Sequence, residues 1–439
     1  MAGAPRNLVL VSFDDMVAFW HYRTAFGPVL QTPNLDRICA RSTAFHAAYA
    51  QAPVCSPSRA SFMSGLSPHQ TGVLNSDRDY FDRIPPARLW PHRLRQAGYH
   101  CSSGGKVMRG YAPLPAEVHD ALYSDPPRVF PLGPRPRVLR AQGLPGRVEL
   151  GGFRGGPVTT DPAEDAKLYD AQVAASAEDF FASYDGAAPF YREIGFAGTH
   201  GPWTTPLRFK EMYDPKTIKR PRAWHAGFDP CPAMDAETPP NINTSHYRFW
   251  SKSLRNYFAA VSYVDDQLGR VWDALKASKH ADDTLVILTS DHGLHLGERD
   301  RFRKHTLWEQ VANVPLIVHD PTRPEGRVVT DPVALMDIAP TIADYLALPP
   351  GPNYIGRSLR PYVEAGASDP DRAVPTFLDA HAAIRKGKYR FIRYGDGSEQ
   401  LFDLEADWWQ TKDLGPDHPA APEMRTALEA TCTDYGAPP

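Results

Sequence analysis

Short, almost wholly apolar runs recur along the chain and predict strands that are covered on both faces. Three such runs are Leu8–Phe13, Thr284–Ser290 and Val314–Val318, and Glu193–Ala197 is a less apolar fourth. Runs of this kind are typical of parallel sheets, because helices pack on both faces of such a sheet. The four segments therefore predict the buried strands of one sheet.

Segments with helical periodicity separate these strands. Thr32 followed by Pro33 is typical of a helix start, and this helix is predicted to end near Ser42. Asp165–Ser183 is rich in alanine and amphipathic, and Ser245–Lys276 carries apolar residues at helical spacing. The alternation of strands and helices predicts an α/β fold with a large, mostly parallel sheet flanked by helices.

Two long stretches, Tyr111–Pro162 and Asp214–Asn243, interrupt this alternation, since both are dense in Pro and Gly and lack periodicity. Excursions of this length serve as lids or binding loops, or only decorate the surface, and both interpretations stay open. Pro349–Pro352 predicts a boundary between a catalytic domain (1–350) and a C-terminal subdomain (351–439). Short β-like runs and a last helical run predict a small antiparallel sheet and one helix in that subdomain.

The composition and charge of the chain exclude some classes of function. The 439 residues carry a formal charge of −3 and are 42% hydrophobic, which is ordinary for a globular protein and argues against nucleic-acid and membrane-surface partners. Met1–Arg6 lacks the features of a secretion leader, and the five scattered cysteines form no disulfide pattern, so we expect a cytoplasmic protein. A homo-oligomer is compatible with this sequence.

Acidic and imidazole side chains follow directly after the two most apolar strands. Asp14 and Asp15 follow Leu8–Phe13, and Asp291 and His292 follow Thr284–Ser290. Ligands bind at the carboxyl ends of parallel strands, and adjacent carboxylates repel unless a cation neutralises them. Either pair alone is typical of a solvated turn, but the two together predict a site for a divalent cation.

Cys55 opens a second chemically suggestive segment. Ser56 and Pro57 are typical of a helix start, which places Cys55 at a helix N-terminus, where the backbone favours an anion. This cysteine has two simpler interpretations. One is a small buried side chain, and the other is a thiolate nucleophile with a lowered pKa. Neither interpretation explains why a proline and an arginine, Pro57 and Arg59, follow at these distances from Cys55.

The run Cys55-Ser-Pro-Ser-Arg59 resembles the Cys-x-Pro-x-Arg signature of type I sulfatases, in which the cysteine is oxidised to formylglycine. The resemblance extends from Asn7 to about Leu348 and is strongest to iduronate-2-sulfatase-like and choline-sulfatase-like members. It includes further ordered motifs, namely Thr32–Asp36, Gly105-Lys106, Ser290–Gly293, Lys304–Glu309 and Val314–Leu316. The resemblance implies the mixed, mostly parallel sheet of the alkaline phosphatase superfamily and hydrolysis of sulfate esters.

The resemblance also implies a metal site. Its ligands would be Asp14, Asp15, Asp291, His292 and the formylglycine at Cys55. The implied ion is calcium, while the imidazole ligand leaves manganese and zinc open. Formylglycine-generating enzyme becomes an implied partner during maturation, and a small-molecule or saccharide sulfate ester becomes the implied substrate.

The remaining implied roles concern the ester itself. Arg59 resembles the arginine that orients formylglycine, Lys106 and Lys304 resemble the lysines that hold sulfate oxygens, and His200 resembles the histidine that protonates the leaving group. Arg109 departs from the family pattern, because related sequences have a histidine near this position. Arginine binds an anion well but does not act as a base, so the group that assists the last elimination stays open.

Two further hypotheses stay open on these residues. The second hypothesis is a phosphonate monoester or phosphodiester hydrolase, because such enzymes attack phosphorus with the same aldehyde, the same metal and the same placement of ligands at strand ends. A non-catalytic, anion-binding relative is the third hypothesis, although the intact Cys55 motif and complete ligand set argue against it.

Overall fold

A sheet of eight strands forms the centre of the fold in the computed structural model, which describes residues 5–76, 80–108, 113–131, 158–351 and 353–438. The first ten strands in chain order are β1 (Asn7–Phe13), β2 (Thr43–Tyr49), β3 (His100–Ser102), β4 (Val158–Thr159), β5 (Phe190–Gly195), β6 (Thr205–Pro206), β7 (Thr284–Ser290), β8 (Asn313–His319), β9 (Arg327–Val329) and β10 (Val333–Ala334). The main sheet has the order β10-β2-β8-β7-β1-β5-β3, with β9 paired to β2, while β4 and β6 pair separately.

Helices of the described residues pack around the main sheet and the C-terminal strands. They are α1 (Phe19–Tyr22), α2 (Pro33–Cys39), α3 (Cys55–Ser64), α4 (Pro68–Thr71), α5 (Trp90–Gln96), α6 (Ala116–Leu122), α7 (Pro162–Asp165), α8 (Tyr169–Ser183), α9 (Leu207–Glu211), α10 (Pro232–Glu237), α11 (Tyr247–Ala277), α12 (Glu309–Ala312), α13 (Ile338–Tyr345), α14 (Arg360–Glu364) and α15 (Ala421–Asp434). Among these helices, none combines the length and apolarity that crossing a membrane requires.

Strand β1 shows why the central strands are continuously apolar. Val9 and Val11 belong to a core on one face of the sheet, which also contains the apolar side of α11. Leu8 and Leu10 belong to a second core on the other face. Because each face is covered, alternate side chains of the strand are all buried, and the apolar run follows from the fold.

The predicted fold class, a large mixed and mostly parallel sheet flanked by helices, is confirmed. The sheet is mixed because β8 runs antiparallel to β7 and β2, whereas the other pairings in the main sheet are parallel. The sequence analysis did not predict β2 or β3. Strand β2 (Thr-Ala-Phe-His-Ala-Ala-Tyr) is rich in alanine, which has low strand propensity, and β3 has only three residues.

The C-terminal segment forms the expected antiparallel sheet and helix. Its strands are β11 (Val374–Leu378), β12 (His381–Lys386), β13 (Tyr389–Arg393) and β14 (Glu399–Asp403), and α15 follows them. This sheet shares an apolar cluster with Leu307 and Trp308, which precede α12. The C-terminal sheet thus packs against the segment that follows Lys304, while the domain boundary at residue 350 stays a prediction.

Candidate active site

The register of β1 and β7 brings the two acidic motifs together. Phe13 pairs with Ser290 at the last step of the two parallel strands, so the next residues, Asp14 and Asp291, leave the sheet side by side. The Asp15 backbone N–H donates to Asp291 Oδ1 at 3.1 Å. Asp14 and Asp291 are completely buried, and their closeness follows from sheet register alone.

Cys55 joins this group from the N-terminus of α3. Its Sγ lies within 4.8 Å of ligand atoms of Asp15 and His292, and within the same distance of ligand atoms of Asp14 and Asp291. In a modified chain, this sulfur position would be taken by an oxygen of residue 55. The structure therefore brings the five predicted metal ligands together, while their binding of a cation stays a prediction.

The protonation of His292 indicates that these donors fit a cation. Its Nδ1 lies 3.0 Å from the Gly293 carbonyl oxygen and donates to it, which leaves a lone pair on Nε2. Burial lowers the pKa of His292, so the ring is neutral. Nε2 faces Asp15 Oδ1 at 3.4 Å and Asp291 Oδ2 at 3.7 Å. Nε2 also lies 3.3 Å from Cys55 Sγ. A histidine that donates one ring N–H to a carbonyl oxygen and turns its other nitrogen towards carboxylates has the usual arrangement of a metal-binding imidazole.

Arg59 is buried completely behind the donors. Its Nε donates to Asp291 Oδ2 at 2.9 Å, and one Nη donates to the carbonyl oxygens of Lys106 and Val107 at 2.8 Å each. Burial lowers the pKa of Arg59, but Asp291 and Asp14 outweigh burial and raise it. Arg59 therefore holds the β7 ligand and the Lys106 segment in place, behind Cys55.

Two lysines approach the group from different segments. Lys106 Nζ lies 2.5 Å from Asp14 Oδ2, while Lys304 Nζ lies 2.7 Å from Asp15 Oδ1 and 3.1 Å from Cys55 Sγ. Burial opposes ionisation of Asp14, but Lys106 and other neighbouring cations outweigh it and hold the pKa of Asp14 well below its usual range. The site thus keeps charged carboxylates beside two ammonium groups that face the Cys55 position.

Backbone geometry fixes the approach of Lys106. Gly105 has a φ of 86°, which favours glycine, and a Cβ there would lie 2.2 Å from the Gly195 carbonyl oxygen. The same oxygen accepts the Lys106 N–H at 3.1 Å. Glycine at position 105 therefore allows Gly105-Lys106 to lie against the end of β5, because a side chain there would collide with the Gly195 carbonyl oxygen.

A buried hydrogen-bond chain holds the segment that carries Lys304. His295 Nδ1 lies 2.9 Å from Glu298 Oε1, and His295 Nε2 lies 2.7 Å from Thr306 Oγ1. Burial lowers the pKa of His295, so the neutral ring donates from Nδ1 and accepts the Thr306 hydroxyl at Nε2. Farther along, Trp308 Nε1 donates to Gln400 of β14. Lys304 is thus placed by contacts that sequence analysis did not identify.

His200 lies at the rim of the group. Its Nδ1 is 2.8 Å from the Gly201 carbonyl oxygen, and its Nε2 is 3.9 Å from Asp15 Oδ2. The preceding Thr199 donates its hydroxyl to the Asp14 carbonyl oxygen at 2.6 Å, which fastens the turn to the end of β1. His200 therefore lies beside the acidic group with Nε2 turned towards Asp15.

The structure does not address the role predicted for Arg109, because positions 109–112 lie outside the described residues.

Burial raises the pKa of Cys55 to about 12, although Lys304 and Lys106 act in the opposite direction. A neutral thiol is a poor nucleophile, so the thiolate interpretation of Cys55 loses support.

Comparison with known proteins decides the family. A family model described as Sulfatase matches residues 6–348, which span the donors, Cys55, both lysines and His200. The chain belongs to the sulfatase family. Members of this family hydrolyse sulfuric esters, so the chain is an enzyme of that class.

Relatives of the chain agree with this assignment. A sulfatase of Formosa agariphila is 30% identical over 423 residues, which cover 91% of the chain and 81% of the relative. A choline-sulfatase of Rhizobium meliloti is 29% identical and covers 91% and 80%, respectively. An iduronate 2-sulfatase of Mus musculus is 26% identical and covers 79% and 69%. The resemblance to this branch of the family is confirmed.

Solved structures share the fold at lower identity. The phosphonate monoester hydrolase of Agrobacterium radiobacter superimposes with a TM-score of 0.75 at 22% identity, covering 98% of the chain and 95% of the hydrolase. A protein in complex with its substrate D-glucosamine-2-N,6-O-disulfate superimposes with a TM-score of 0.73 at 19% identity, covering 99% and 98%. These matches show that the chain shares its fold with both proteins.

Proposed function

We propose that the chain hydrolyses sulfate esters with a formylglycine made from Cys55 and one divalent cation. The proposed cation ligands are Asp14, Asp15, Asp291, His292 and residue 55. The observation that carries the proposal is the convergence of donors from β1 and β7 on Cys55 Sγ within 4.8 Å. The lone pair that His292 directs at two carboxylates supports a cation at this point.

Calcium is the proposed ion, because the donor set is dominated by carboxylate oxygens, while the single imidazole keeps manganese and zinc as candidates. A bound cation supplies positive charge and lowers the pKa of a hydroxyl next to it. The hydrated aldehyde of formylglycine supplies one hydroxyl that attacks sulfur and a second that permits release of sulfate.

The lysines would neutralise the sulfate during the reaction. Lys304 Nζ lies 3.1 Å from Cys55 Sγ, and Lys106 is held by Asp14 on the other side. As the new S–O bond forms and the ester S–O bond breaks, negative charge grows on the sulfate oxygens and on the departing alcohol. Ammonium groups that are fixed before the reaction stabilise this charge without reorganisation.

His200 would donate the proton that the departing alcohol needs. Because its Nδ1 bonds to the Gly201 carbonyl, Nε2 is the nitrogen that faces the site, and the imidazolium form donates from Nε2. The leaving oxygen keeps the bond electron pair and takes this proton, which leaves a neutral alcohol and a neutral ring.

Hydrolysis of phosphonate monoesters or phosphodiesters at the same site is the second candidate function. The superposition with a phosphonate monoester hydrolase at a TM-score of 0.75 favours it, because the two proteins share one fold. The higher identity to enzymes named sulfatase supports sulfate as the preferred ester. Initial rates on an aryl sulfate and a phenyl phosphonate ester, measured side by side, separate the two.

The biological partners follow from this proposal. A small-molecule or saccharide sulfate ester would be the substrate, in line with the disulfated glucosamine bound by one protein of the same fold. Formylglycine-generating enzyme would convert Cys55 before folding. We keep the cytoplasm as the proposed location, in line with the five free cysteines.

Removal and return of metal tests the proposal. Protein with converted Cys55 is treated with a chelator, and calcium, manganese or zinc is then added to separate samples. We expect turnover of an aryl sulfate to disappear with the metal and to return with at least one ion at one equivalent per chain. Undiminished turnover by protein shown to be metal-free would contradict the proposed mechanism.

A further inference from the structure

One buried acid near the active site has no part in the chemistry described above. Asp170 lies in the first turn of α8, and only 2% of it is exposed. Burial raises the pKa of Asp170 to about 7, although hydrogen bonds from two backbone amides lower it. Burying an acid is unfavourable unless hydrogen bonds compensate, so its contacts indicate what the side chain does for the fold.

Both amides belong to the turn that carries His200. The Ala197 N–H donates to Asp170 Oδ1 at 2.7 Å, and the Gly198 N–H also donates to this carboxylate. The chain leaves β5 after Gly195, so these amides have no strand partner to pair with. Asp170 therefore replaces the sheet as the hydrogen-bond acceptor at the point where the turn begins.

The turn is fastened on its other side as well. Thr199 donates its hydroxyl to the Asp14 carbonyl oxygen at 2.6 Å, and the His200 N–H donates to the Ala197 carbonyl oxygen at 2.9 Å. Two anchors, one on α8 and one at the end of β1, thus define the backbone on which His200 lies. Trp203 Nε1 also donates to the Thr199 carbonyl oxygen at 2.8 Å, within the same segment.

Close packing shows that the approach of Asp170 is specific. A Cβ on Gly198 would lie 2.3 Å from Asp170 Oδ2 and 2.8 Å from Val264 Cγ2. A side chain at position 198 would therefore push the turn away from α8 and α11. The absence of a side chain at this position allows the carboxylate to reach two successive amides.

We infer that Asp170 is a positioning residue, which sets the distance of His200 from the ester oxygen through the backbone amides of Ala197 and Gly198. The inference rests on the proposed function, because it assigns a purpose to the placement of His200. Proton transfer requires a short, aligned contact, and a misplacement of about 1 Å lowers a rate by as much as about 10²-fold.

Asp170→Asn tests the inference with little change in volume, since the carboxamide keeps one acceptor and turns a donor towards the second amide. The chain offers a matched control in Asp265 on α11. Asp265 is also buried and accepts backbone amides of two successive residues, Asn34 at 3.0 Å and Leu35 at 2.7 Å. It holds α2 instead of the active site, so Asp265→Asn reports general destabilisation.

We measure the ratio of the turnover rates for an alkyl sulfate and an activated aryl sulfate. Asp170→Asn is expected to lower this ratio by about tenfold or more, because only the alkyl ester needs a well-placed proton donor. Asp265→Asn is expected to leave the ratio unchanged. In a His200→Ala background, Asp170→Asn should lower the ratio no further, since residues that act through one group are not additive.

Hydrogen exchange of the peptide around 196–203 provides a readout that does not depend on catalysis. Asp170→Asn should speed exchange of the Ala197 and Gly198 amides, and Asp265→Asn should not. An unchanged ratio, an equal drop in both variants, or a further drop in the His200→Ala background overturns the inference. If His200→Ala itself leaves the ratio unchanged, the acid role proposed for His200 fails, and the exchange measurement then decides whether Asp170 positions the turn.

Discussion

The two halves of the candidate active site are held in different ways. The cation half consists of side chains that follow directly after β1 and β7, namely Asp14, Asp15, Asp291 and His292. The substrate half consists of His200 and Lys304, which lie outside the helices and strands and keep 33% and 16% of their side chains exposed. One half is set by sheet register, and the other by contacts from distant segments.

This difference has a consequence for function. A metal site that extends two paired strands tolerates no independent adjustment, because moving one ligand requires a change of register. Turns held by a few side chains, such as Asp170 and Thr306, can be shifted by single substitutions. We therefore expect damage to the cation half to affect all substrates equally, damage around Lys304 to weaken binding of the sulfate, and damage to the His200 turn to depend on the leaving group.

The largest effect is expected for His292→Ala, which removes a proposed cation ligand. Turnover should fall by about 10³-fold or more for alkyl and aryl sulfates alike, because a bound metal supplies several kcal/mol of stabilisation. Isothermal titration should show weakened binding of the cation in parallel. His319→Ala, at the opposite end of the sheet and also buried, is the control, and an equal loss in both variants would contradict the metal assignment.

A smaller, substrate-dependent effect is expected for His200→Ala. Turnover of alkyl sulfates should fall by about 10²-fold to 10³-fold, and turnover of a nitrophenyl sulfate by much less, because a nitrophenolate leaves without a proton. His92→Ala is the control, since His92 on α5 also contacts a backbone carbonyl oxygen through its ring. Equal losses on both esters would show that His200 does not act as the acid and only helps to hold the sulfate.

Thr306→Val should have a moderate effect through Lys304. The valine has nearly the same shape but leaves the buried His295 Nε2 without its donor, which destabilises the segment by about 1–3 kcal/mol. We expect KM for the sulfate ester to rise about tenfold as Lys304 becomes less well held. Thr284→Val, at the far end of β7, should destabilise the protein without a change in KM. A KM equal to that of the unchanged protein would separate this hydrogen-bond chain from Lys304.

The smallest effect is expected at an exposed ion pair. Arg270 and Glu178 lie 2.6 Å apart on the surface between α11 and α8, and each keeps more than a third of its side chain exposed. Arg270→Ala should change the free energy of unfolding by less than about 1 kcal/mol and leave kcat and KM unchanged. A large loss of activity would contradict the small contribution expected of this exposed ion pair.

Sequence alone predicted the half of the site that the sheet defines. Asp14 and Asp291 each follow an apolar run that is legible without a structure, and strand ends are where ligands bind. That these two runs are in-register neighbours followed from no local pattern, since pairing depends on the whole sheet. The cation half was predictable because its geometry needs only strand positions.

The other half was predictable only through family resemblance. His200 has no flanking pattern that distinguishes it from an ordinary polar residue, and its anchor Asp170 lies 27 residues before Ala197 in the chain. Thr306 and His295 make a contact that depends on how their loop closes. Strand β2 was missed for a related reason, because its alanines become buried only through pairing with β8 and β9.

The central claim is that residue 55 acts as formylglycine, and one measurement tests it most directly. Protein made with varying amounts of formylglycine-generating enzyme is digested with trypsin, and the mass of the peptide 42–59 gives the fraction in which aldehyde replaces thiol. We predict that kcat per chain rises in proportion to this fraction, and that Cys55→Ser loses multiple turnover. Full activity from protein that carries only the Cys55 thiol would contradict the account.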